Sequence, residues 1–320
     1  MPLVTVLMPV YNADQFVGEA IDSILNQTLN DFELLIINDA STDKSLSIIK
    51  SYRDSRIRLI NNENNLGISA TLNKGIHFSG TELIARMDAD DISHPTRLQK
   101  QYDFFLYHPE CALLSSWVNV VSEDREYIHT EKFRSKYYYY NMTFDCWIYH
   151  PTVMYKKSAV LNVGAYSSPY SEDFDLFWHM MRKYKIDNIE EVLLDYRITS
   201  QSLHQVTKKV EYDQALHRQT LRNIKHYAGR DFYISYEEIQ CLQFKLDPIL
   251  KLNSINAILN AFKKLAIITR EILNCANPNL DKKAVYEASY HRKRYIRNKL
   301  LTKLSTFNNL ILRIRLLLIK

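Results

Sequence analysis

The sequence predicts an α/β fold in which a mostly parallel central sheet is flanked by helices and followed by an α-helical C-terminal region. Three observations predict this fold. Short apolar runs alternate with segments of helical periodicity over residues 1–110, which is the pattern of consecutive βαβ units. Polar side chains follow the ends of three of those runs. No strand pattern is evident beyond about residue 205.

The predicted elements follow one another in the order expected for such a sheet. Residues 3–10 form a continuous apolar run typical of a buried strand, and Phe16, Ile21 and Leu25 then recur at helical spacing. Further strands are predicted at 32–37, 57–60 and 83–87, with helices at 46–49, at 66–78 and after His94-Pro95. Longer strands are predicted at 112–121 and 146–155, and a helix is predicted to begin at Ser171.

Composition restricts the class of protein. A hydrophobic fraction of 46% and a charged fraction of 24% are typical of a soluble globular chain and exclude disorder throughout. The sequence has no run of about 18 apolar residues and no signal-peptide pattern at its N-terminus. The four cysteines form no CxxC pair, which fits reduced thiols. These features predict a cytoplasmic protein.

Charge is distributed unevenly along the chain. Of the 41 basic and 36 acidic residues, residues 1–200 hold 19 and 27, a net charge of −8, and residues 201–320 hold 22 and 9, a net charge of +13. This asymmetry predicts chemistry in the first part and attraction to an anionic partner in the second. We predict a catalytic domain at 1–205, with halves 1–110 and 111–205, and a helical region at 206–320.

Polar groups at the ends of three predicted strands locate a site. Tyr11 and Asn12 follow the first strand, Asp39 ends the second, and Asp88 and Asp90 follow the fourth. Ligands of open α/β sheets bind beyond the carboxyl ends of the strands. We therefore expect these side chains to surround one ligand.

Asp88-Ala89-Asp90 is a candidate metal site. Two carboxylates one residue apart at a strand end can share a hard divalent cation with phosphate oxygens, and Mg²⁺ or Mn²⁺ suits such ligands. The alternative is a solvated acidic turn. The apolar strand directly before the motif favours the metal site.

Asp39, Tyr11 and the Glu172-Asp173 pair each have two interpretations. Asp39 can accept a hydrogen bond from a base imide or a ribose hydroxyl, or it can form an Asx turn. Tyr11 can face a planar base or anchor the strand end. A carboxylate of Glu172-Asp173 can act as a general base, whereas acidic residues also favour the first turn of a helix. The residues alone leave these alternatives open.

The ordered set of motifs resembles a known family. Its nucleotide-binding half is matched by Pro9-Val10-Tyr11-Asn12, residues 37–43, Asn65-Leu66-Gly67 with Asn73, and residues 85–91. Its acceptor half is matched by His150-Pro151-Thr152, Gly164-Ala165-Tyr166 and Ser171-Glu172-Asp173. This set, over residues 2–200, resembles family 2 glycosyltransferases of the kind that build bacterial lipopolysaccharide or capsule. The resemblance implies the GT-A fold, a nucleoside-diphosphate sugar donor and a bound divalent metal, Mn²⁺ or Mg²⁺.

The resemblance also implies a role for each matched residue. Pro9, Tyr11 and Asn12 would line the uracil and ribose pocket, and Asp39 would bond the uracil ring. Arg86 and Asp88 would hold the ribose or the donor sugar, and Asp90, together with Asp88, would contact the metal. Asp173 would be the catalytic base, with Glu172 and His150 on the acceptor side. A structural histidine beside Pro151 is the alternative for His150.

Two departures from the family pattern bear on function. Tyr196-Arg197 resembles a late motif whose histidine completes the metal site, but Thr199 occupies that position and the nearest histidine is His204. The Gln-x-x-Arg-Trp signature of processive synthases is absent from the sequence. The expected reaction is therefore inverting transfer of one sugar from a UDP-sugar to a hydroxyl of a glycan or lipid-linked acceptor.

Residues 291–320 form a basic amphipathic stretch. They include nine Lys or Arg and no acidic residue, and apolar residues recur at steps of three and four. This pattern predicts binding to an anionic membrane surface. The alternative is a helix that packs on the catalytic domain and exposes a basic face. Because members of the resembled family glycosylate lipid-linked acceptors, we predict peripheral attachment to the cytoplasmic face of the inner membrane.

Three other functions remain alternatives on the sequence. A sugar nucleotidyltransferase also needs paired carboxylates and a metal, but it usually carries a Gly-rich loop after the first strand, where this chain has Pro9-Val10-Tyr11-Asn12. Binding of an anionic polymer through the basic end would need interleaved aromatic residues, and we expect no nucleic-acid partner. An inactive relative is disfavoured because every charged position of the motifs is filled.

Overall fold

The computed structural model describes residues 2–200 and 208–316. The chain divides into two compact units. The first unit contains residues 1–135 and 148–212, and the second contains residues 136–147 and 213–320. The second unit therefore includes a short excursion from the first half of the chain. The functional division at residues 205/206 stays a prediction.

Nine strands of the described residues form one sheet in the first unit. They are β1 (Val4–Val10), β2 (Phe32–Asn38), β3 (Ile57–Asn61), β4 (Leu83–Arg86), β5 (Ile92–Ser93), β6 (Cys111–Val121), β7 (Tyr127–Glu131), β8 (Met154–Lys156) and β9 (Lys185–Arg197). The strand order is β3-β2-β1-β4-β8-β6-β9-β5, and β7 pairs with β6 outside that path.

Parallel pairing prevails in the part of the sheet that carries the predicted site. Strand β1 is parallel to both β2 and β4, and β2 is parallel to β3. Strands β6 and β9 are also parallel, whereas β8 runs antiparallel to β4 and to β6. The carboxyl ends of β1, β2 and β4 therefore lie at one edge of the sheet. The predicted α/β fold with a helical C-terminal region is confirmed.

Helices cover the sheet of the first unit and make up most of the second. In chain order they are α1 (Val17–Leu25), α2 (Ser45–Ser51), α3 (Ile68–Phe78), α4 (Arg97–Tyr107), α5 (Tyr138–Asn141), α6 (Lys157–Asn162), α7 (Glu172–Lys183), α8 (Lys209–Ala228), α9 (Tyr236–Leu242), α10 (Asp247–Lys251), α11 (Ile255–Asn274), α12 (Lys282–Lys303) and α13 (Thr306–Leu316). Two 3₁₀ turns lie at Ser135–Tyr137 and His150–Thr152.

The core of the first unit explains why β1 is apolar at every position except Thr5. All seven of its residues are buried. Val6 and Met8 belong to the cluster that contains Ile21 of α1. Leu7 faces the opposite side, where a Cβ added at Gly75 of α3 would lie 2.2 Å from its Cδ1. Helices therefore cover both faces of β1, and a glycine allows α3 to approach it closely.

The sheet differs from the prediction at residues 146–155 and at three strands that were not predicted, β5, β7 and β9. The prediction of one strand over residues 146–155 is wrong, because only Met154–Lys156 is a strand and His150–Thr152 is a 3₁₀ turn. Pro151 has no backbone N–H to donate to a ladder, which favours the turn. Strand β9 was not predicted because acidic residues such as Glu190 and Glu191 interrupt its apolar pattern. Its parallel pairing with β6 stabilises it instead.

A buried arginine organises the second unit. Arg292 of α12 is 2% exposed and lies between the rings of Phe144 and Phe244, at 4.4 and 4.5 Å. Its Nη1 donates a hydrogen bond to Asp145 Oδ2 at 3.0 Å, and its Nη2 donates one to Asn141 Oδ1 at 2.9 Å. These contacts tie the excursion at 136–147 to the C-terminal helices. The tyrosines at 138–140 are buried in the same unit.

The basic C-terminal stretch is divided between two helices, since α12 ends at Lys303 and α13 begins at Thr306. Its apolar residues Ile296, Leu300 and Leu312 are buried. Several of its basic residues are exposed: Arg294, Arg297, Lys299, Lys303, Arg313 and Arg315. Across the described ranges, every helix is too short or too polar to span a bilayer.

Candidate active site

Asp39 fixes the loop that leads into α3. It directly follows β2 and only 4% of its surface is exposed. Its Oδ1 accepts hydrogen bonds from Asn62 Nδ2 at 2.6 Å and from the N–H of Leu66 at 2.9 Å, and its Oδ2 accepts one from the N–H of Gly67 at 3.0 Å. The side chain therefore contacts the 62–67 loop, whereas the Asx-turn interpretation predicted a contact toward α2.

Pro9, Tyr11 and Asn12 lie at the carboxyl end of β1. Pro9 is buried within the strand. Asn12 adopts a left-handed backbone with φ of 49°, and its Oδ1 accepts a hydrogen bond from the N–H of Thr42 at 2.8 Å. Half of the surface of Tyr11 is exposed. This end of β1 therefore combines a fixed backbone with an aromatic ring that is accessible to a ligand.

Arg86 orients the first carboxylate of the acidic motif. It ends β4, and its Nη2 donates a hydrogen bond to Asp88 Oδ1 at 2.6 Å. Its Nη1 donates to the carbonyl oxygen of Met87. The side chain of Asp88 remains 29% exposed. Arg86 thus holds Asp88 in place while one part of that carboxylate stays in contact with water.

Three aspartates of like charge lie together after β4. Loss of hydration raises the pKa of Asp90 to about 7, and the charge of Asp88 adds to this effect. Burial, followed by the charges of Asp90 and Asp88, raises the pKa of Asp91 well above its usual range. The N–H of Arg197 donates to Asp91 Oδ1 at 2.8 Å. Such a cluster is stabilised by binding protons or a cation.

The donor atoms of this cluster fit a hard divalent cation that also binds phosphate. No group of three or more His, Cys, Asp or Glu within residues 2–200 and 208–316 is arranged to hold a metal ion. A cation at Asp88 and Asp90 would therefore take its other ligands from substrate phosphates and water, as Mg²⁺ often does. Both side chains supply oxygen atoms, and Asp88 is accessible. Thr199 is buried, and His204 lies outside the described residues.

His150 bridges Tyr166 and Glu172 in a buried position. Its Nε2 lies 2.7 Å from the Tyr166 hydroxyl, and its Nδ1 lies 3.5 Å from Glu172 Oε1. Burial, followed by the charge of Arg86, lowers the pKa of His150 to about 4, so the ring is neutral near pH 7. A neutral ring that accepts the Tyr166 hydroxyl proton at Nε2 directs its Nδ1–H toward Glu172. This contact corresponds to the structural interpretation of His150.

Glu172 and Asp173 begin α7. Glu172 is 5% exposed, burial raises its pKa to about 7, and its Oε2 has no hydrogen-bond partner among the described residues. Asp173 is half-buried, and its Oδ1 accepts a hydrogen bond from the N–H of Phe174 at 2.8 Å. Loss of hydration, followed by the charge of Glu172, raises the pKa of Asp173 to about 6. A carboxylate with this pKa is suited to general-base chemistry near neutral pH.

The structure brings the two acidic segments into one electrostatic cluster. After burial, the charges of Arg86 and Asp88 act on the pKa of Glu172, and both also act on the pKa of His150. Asp39 lies to one side of this cluster, because β1 separates β2 from β4. Two strand spacings place the ends of β2 and β4 about 10 Å apart.

Two buried arginines that the sequence did not single out as site residues support this cluster. Arg97 is fully buried, and its Nη2 donates to the Arg86 carbonyl at 2.7 Å. Burial lowers the pKa of Arg97 to about 9. Arg197 places its Nη2 2.5 Å from Glu19 Oε2. The sequence signal for Arg97 was helical spacing, which puts it on the same face of α4 as Gln101, also buried. Arg197 belongs to the Tyr196-Arg197 motif noted in the sequence.

Comparison with known proteins identifies the family. The model of glycosyl transferase family 2 matches residues 5–167, about half of the chain. The chain belongs to glycosyl transferase family 2. It is 34% identical over 211 residues to the O-antigen biosynthesis glycosyltransferase WbnJ of Escherichia coli, covering 63% of this chain and 82% of that protein. It is 31% identical over 210 residues to the UDP-Gal:α-D-GlcNAc-diphosphoundecaprenol β-1,3-galactosyltransferase of E. coli, covering 63% and 76%.

A solved structure supports the fold of this glycosyltransferase. TarS 1–349 of S. aureus, in complex with UDP-GlcNAc, superposes with a TM-score of 0.58 and covers 95% of this chain and 93% of that one. The sequence identity is 14%, so this likeness concerns the fold alone. The predicted GT-A fold and glycosyltransferase activity are confirmed. The role of each site residue stays a prediction.

Proposed function

We propose that this glycosyltransferase moves one sugar from a UDP-sugar to a hydroxyl of a glycan or lipid-linked acceptor, with inversion and with a divalent cation. The reaction would serve cell-surface polysaccharide or lipopolysaccharide synthesis. The observation that carries the proposal is the electrostatic cluster of Asp88, Asp90, Glu172 and Asp173. Burial raises the pKa values of Asp90, Glu172 and Asp173, and the charge of Asp88 adds to the rise at Asp90 and Glu172. Asp88 and Asp90 are suited to bind a cation together with a diphosphate, and Glu172 and Asp173 are suited to accept a proton.

The carboxyl ends of β1 and β2 supply the groups for the nucleotide. The exposed ring of Tyr11 can stack on uracil, and Pro9 and Asn12 fix the backbone beside it. Asp39 Oδ2 accepts one described hydrogen bond, from Gly67, and its other lone pair is available to the uracil imide. The name of the E. coli galactosyltransferase and the UDP-GlcNAc bound to TarS support UDP as the carrier.

Asp173 supplies the base for the transfer. The acceptor hydroxyl gives its proton to a carboxylate oxygen of Asp173 as its oxygen forms a bond to the anomeric carbon. The bond from that carbon to the diphosphate breaks, and its electron pair leaves on the diphosphate oxygen. Attack from the face opposite the leaving group inverts the anomeric configuration. Glu172 and His150 lie beside Asp173 and would shape the acceptor side.

Asp90 and Asp88 would hold the cation, Mn²⁺ or Mg²⁺. When bound, it would supply positive charge for the phosphate oxygens of the leaving diphosphate. Arg86 keeps the Asp88 carboxylate in a fixed orientation, in which Asp88 would bind the ribose or donor sugar. Loss of hydration and the charge of Asp88 raise the pKa of Asp90, so cation binding would also relieve the repulsion between the two carboxylates.

A lipid-linked acceptor fits the charge of the second unit. The name of the E. coli galactosyltransferase specifies a diphosphoundecaprenol acceptor. Exposed basic residues on α12 and α13, including Arg297 and Arg313, can contact anionic lipid headgroups. We therefore propose that the enzyme acts as a peripheral protein at the cytoplasmic face of a membrane.

The test combines donor binding with product analysis. We would heat the protein with Mn²⁺ and each member of a panel of UDP-sugars, since a ligand at 100 times its Kd stabilises the folded state by about 2.7 kcal/mol. The stabilising donor is then incubated with undecaprenol-diphosphate sugars, and the products are analysed. Release of UDP with formation of a β-glycoside from an α-linked donor supports the proposal. Conversion of UTP and a sugar 1-phosphate into a UDP-sugar and pyrophosphate would indicate a nucleotidyltransferase instead. Absence of both stabilisation and turnover with every donor would refute the proposal.

A further inference from the structure

Asn73 forms a two-point contact with the segment that leads to the proposed base. It lies in the middle of α3, and its Nδ2 donates a hydrogen bond to the carbonyl of Tyr166 at 2.8 Å. Its Oδ1 accepts one from the N–H of the same residue at 3.0 Å. One turn earlier, Ser69 Oγ donates to the carbonyl of Ser168 at 2.5 Å. A side-chain amide thus binds both backbone groups of one residue, as a neighbouring strand would.

The segment held by Asn73 has an unfavourable backbone. Ala165 has φ of 54° and Ser171 has φ of 52°. The left-handed region is disfavoured for residues with a side chain, so a conformation of this kind persists only when contacts with the surrounding structure hold it. The hydrogen bonds from Ser69 and Asn73 of α3 are contacts that hold this conformation.

The same segment sets the geometry of the acidic pair. The hydroxyl of Tyr166 lies 2.7 Å from His150 Nε2, and His150 in turn contacts Glu172. Ser167 Oγ donates to Asp175 Oδ2 at 2.6 Å, in the first turn of α7. A displacement of Tyr166 would therefore move the partner of Glu172 and the start of the helix that carries Asp173.

The start of α3 is fixed from the other side of the site. Asp39 accepts hydrogen bonds from the N–H groups of Leu66 and Gly67, directly before the helix begins at Ile68. The residues directly before α3 thus bind the proposed uracil-binding residue Asp39, and the helix carries Asn73 near its middle. Helix α3 therefore links the proposed nucleotide-binding residue Asp39 to the segment that leads to the proposed base Asp173.

We propose that Asn73 is a positioning residue that holds Asp173 and Glu172 in register with the donor. The inference rests on the proposed function, since it assigns Asn73 to the geometry of the proposed base. In this role Asn73 acts through the backbone of Tyr166. A misplacement of about 1 Å can lower turnover by about 10²-fold, which is the loss expected when this contact is broken.

The experiment compares Asn73→Asp with the wild-type enzyme. The aspartate has nearly the same size and keeps an acceptor for the Tyr166 N–H, but it places a second acceptor against the Tyr166 carbonyl. We expect kcat for sugar transfer to fall by about 10²-fold while the Kd for the UDP-sugar stays within about twofold. The acid limb of the kcat–pH profile should also shift, because the surroundings of Asp173 change. Asn73→Ala should give the same pattern.

A control and a second measurement separate this role from general destabilisation. Asn26 is an exposed helix-terminal asparagine that bonds the Asp22 carbonyl, and Asn26→Ala should leave kcat unchanged. Hydrogen exchange of the amides at 164–175 should accelerate in Asn73→Asp and stay unchanged in Asn26→Ala. Wild-type kcat, an unshifted pH profile and unchanged exchange in Asn73→Asp would overturn the inference. If the wild-type enzyme turned over no UDP-sugar, the proposed function would fail, and exchange alone would still decide whether Asn73 holds the segment.

Discussion

Arg86 Nη2 lies 2.6 Å from Asp88 Oδ1, in an ion pair whose two members differ in exposure. The side chain of Arg86 is 2% exposed, whereas that of Asp88 is 29% exposed. The positive charge is therefore fixed in the interior, and the negative charge reaches the surface where a ligand can contact it. Removing one member of a buried ion pair costs about 3–5 kcal/mol, and hydration of Asp88 reduces that figure.

Arg86→Ala should lower the free energy of unfolding by about 2–3 kcal/mol, because it leaves the Met87 carbonyl and Asp88 without their donor. Urea denaturation measures this change. The matched control is Arg58→Ala, which removes a surface pair with Glu33 at 3.5 Å and should cost less than about 1 kcal/mol. Equal losses in the two variants would show that Arg86 has no special structural role.

Asp173→Asn should lower kcat by about 10²- to 10⁴-fold, which is the usual contribution of a general base. The amide cannot take the proton of the acceptor hydroxyl, yet it keeps the shape of the side chain, so the Kd for the donor should not change. Transfer assays and calorimetric titration with the UDP-sugar measure the two quantities. Asp124→Asn, on the exposed surface, serves as the control. Near-wild-type kcat in Asp173→Asn would remove Asp173 as the base.

The kcat of the wild-type enzyme should fall as the pH drops through about 6. The base acts only when ionised, and loss of hydration followed by the charge of Glu172 raises the pKa of Asp173 to about 6, so protonation begins above the range of an ordinary aspartate. The other titratable groups that act on it are His150, which is neutral there, and Tyr212. Glu172→Gln removes the carboxyl whose charge, after burial, raises the pKa of Asp173. The acid limb should move to lower pH, by less than a fully ionised neighbour would cause, because the pKa of Glu172 is itself about 7. A pH profile with no acid limb would contradict the assignment.

The apolar strands and the acidic motifs were predictable because each depends on a short stretch of chain. Val4–Val10 is buried along its whole length and is apolar except at Thr5, and the motif at Asp88 begins two residues after a strand that is also buried throughout. Strand β9 was not predictable, since its stability comes from pairing with β6, a contact between distant segments. Its own residues alternate too weakly to indicate a strand.

The contacts that support the site could not be predicted from the sequence, for a related reason. Asn73 was recognised as part of a motif, but its role depends on hydrogen bonds to the backbone of Tyr166, 93 residues away. Arg97 binds the Arg86 carbonyl in the same way. A side chain that binds a backbone group leaves no pattern in the partner sequence, because every residue offers the same carbonyl.

Asp90→Asn should remove the dependence of donor affinity on Mn²⁺. In the wild-type protein, addition of EDTA should weaken binding of the UDP-sugar, because the phosphate oxygens lose a cation that Asp88 and Asp90 would hold. In the variant, affinity with Mn²⁺ should equal that of the wild-type protein in EDTA. Calorimetric titration in both buffers measures this, and the exposed Asp31→Asn variant is the control. If EDTA leaves the affinity of the wild-type protein for the UDP-sugar unchanged, the metal site is refuted.

Charge reversal on α12 tests the membrane proposal better than truncation does. A truncation before α12 would remove Arg292, whose contacts with Asp145 and Asn141 hold the second unit together. Reversal at Arg294, Arg297 and Lys299 changes exposed charges alone. Each basic residue near an anionic surface contributes about 1 kcal/mol, so the triple Glu variant should bind phosphatidylserine vesicles at least about 10²-fold more weakly.

The control for charge reversal carries the same change in net charge elsewhere in the second unit. Lys251, Lys263 and Arg270 are also exposed, and their triple Glu variant should bind the same vesicles much more strongly than the α12 variant does. Co-sedimentation at about 0.1 M salt measures both, since screening at that ionic strength restricts the effect to charges within about 10 Å of the surface. Equal losses in the two variants would mean that net charge, rather than the basic face of α12, attracts the protein to the membrane.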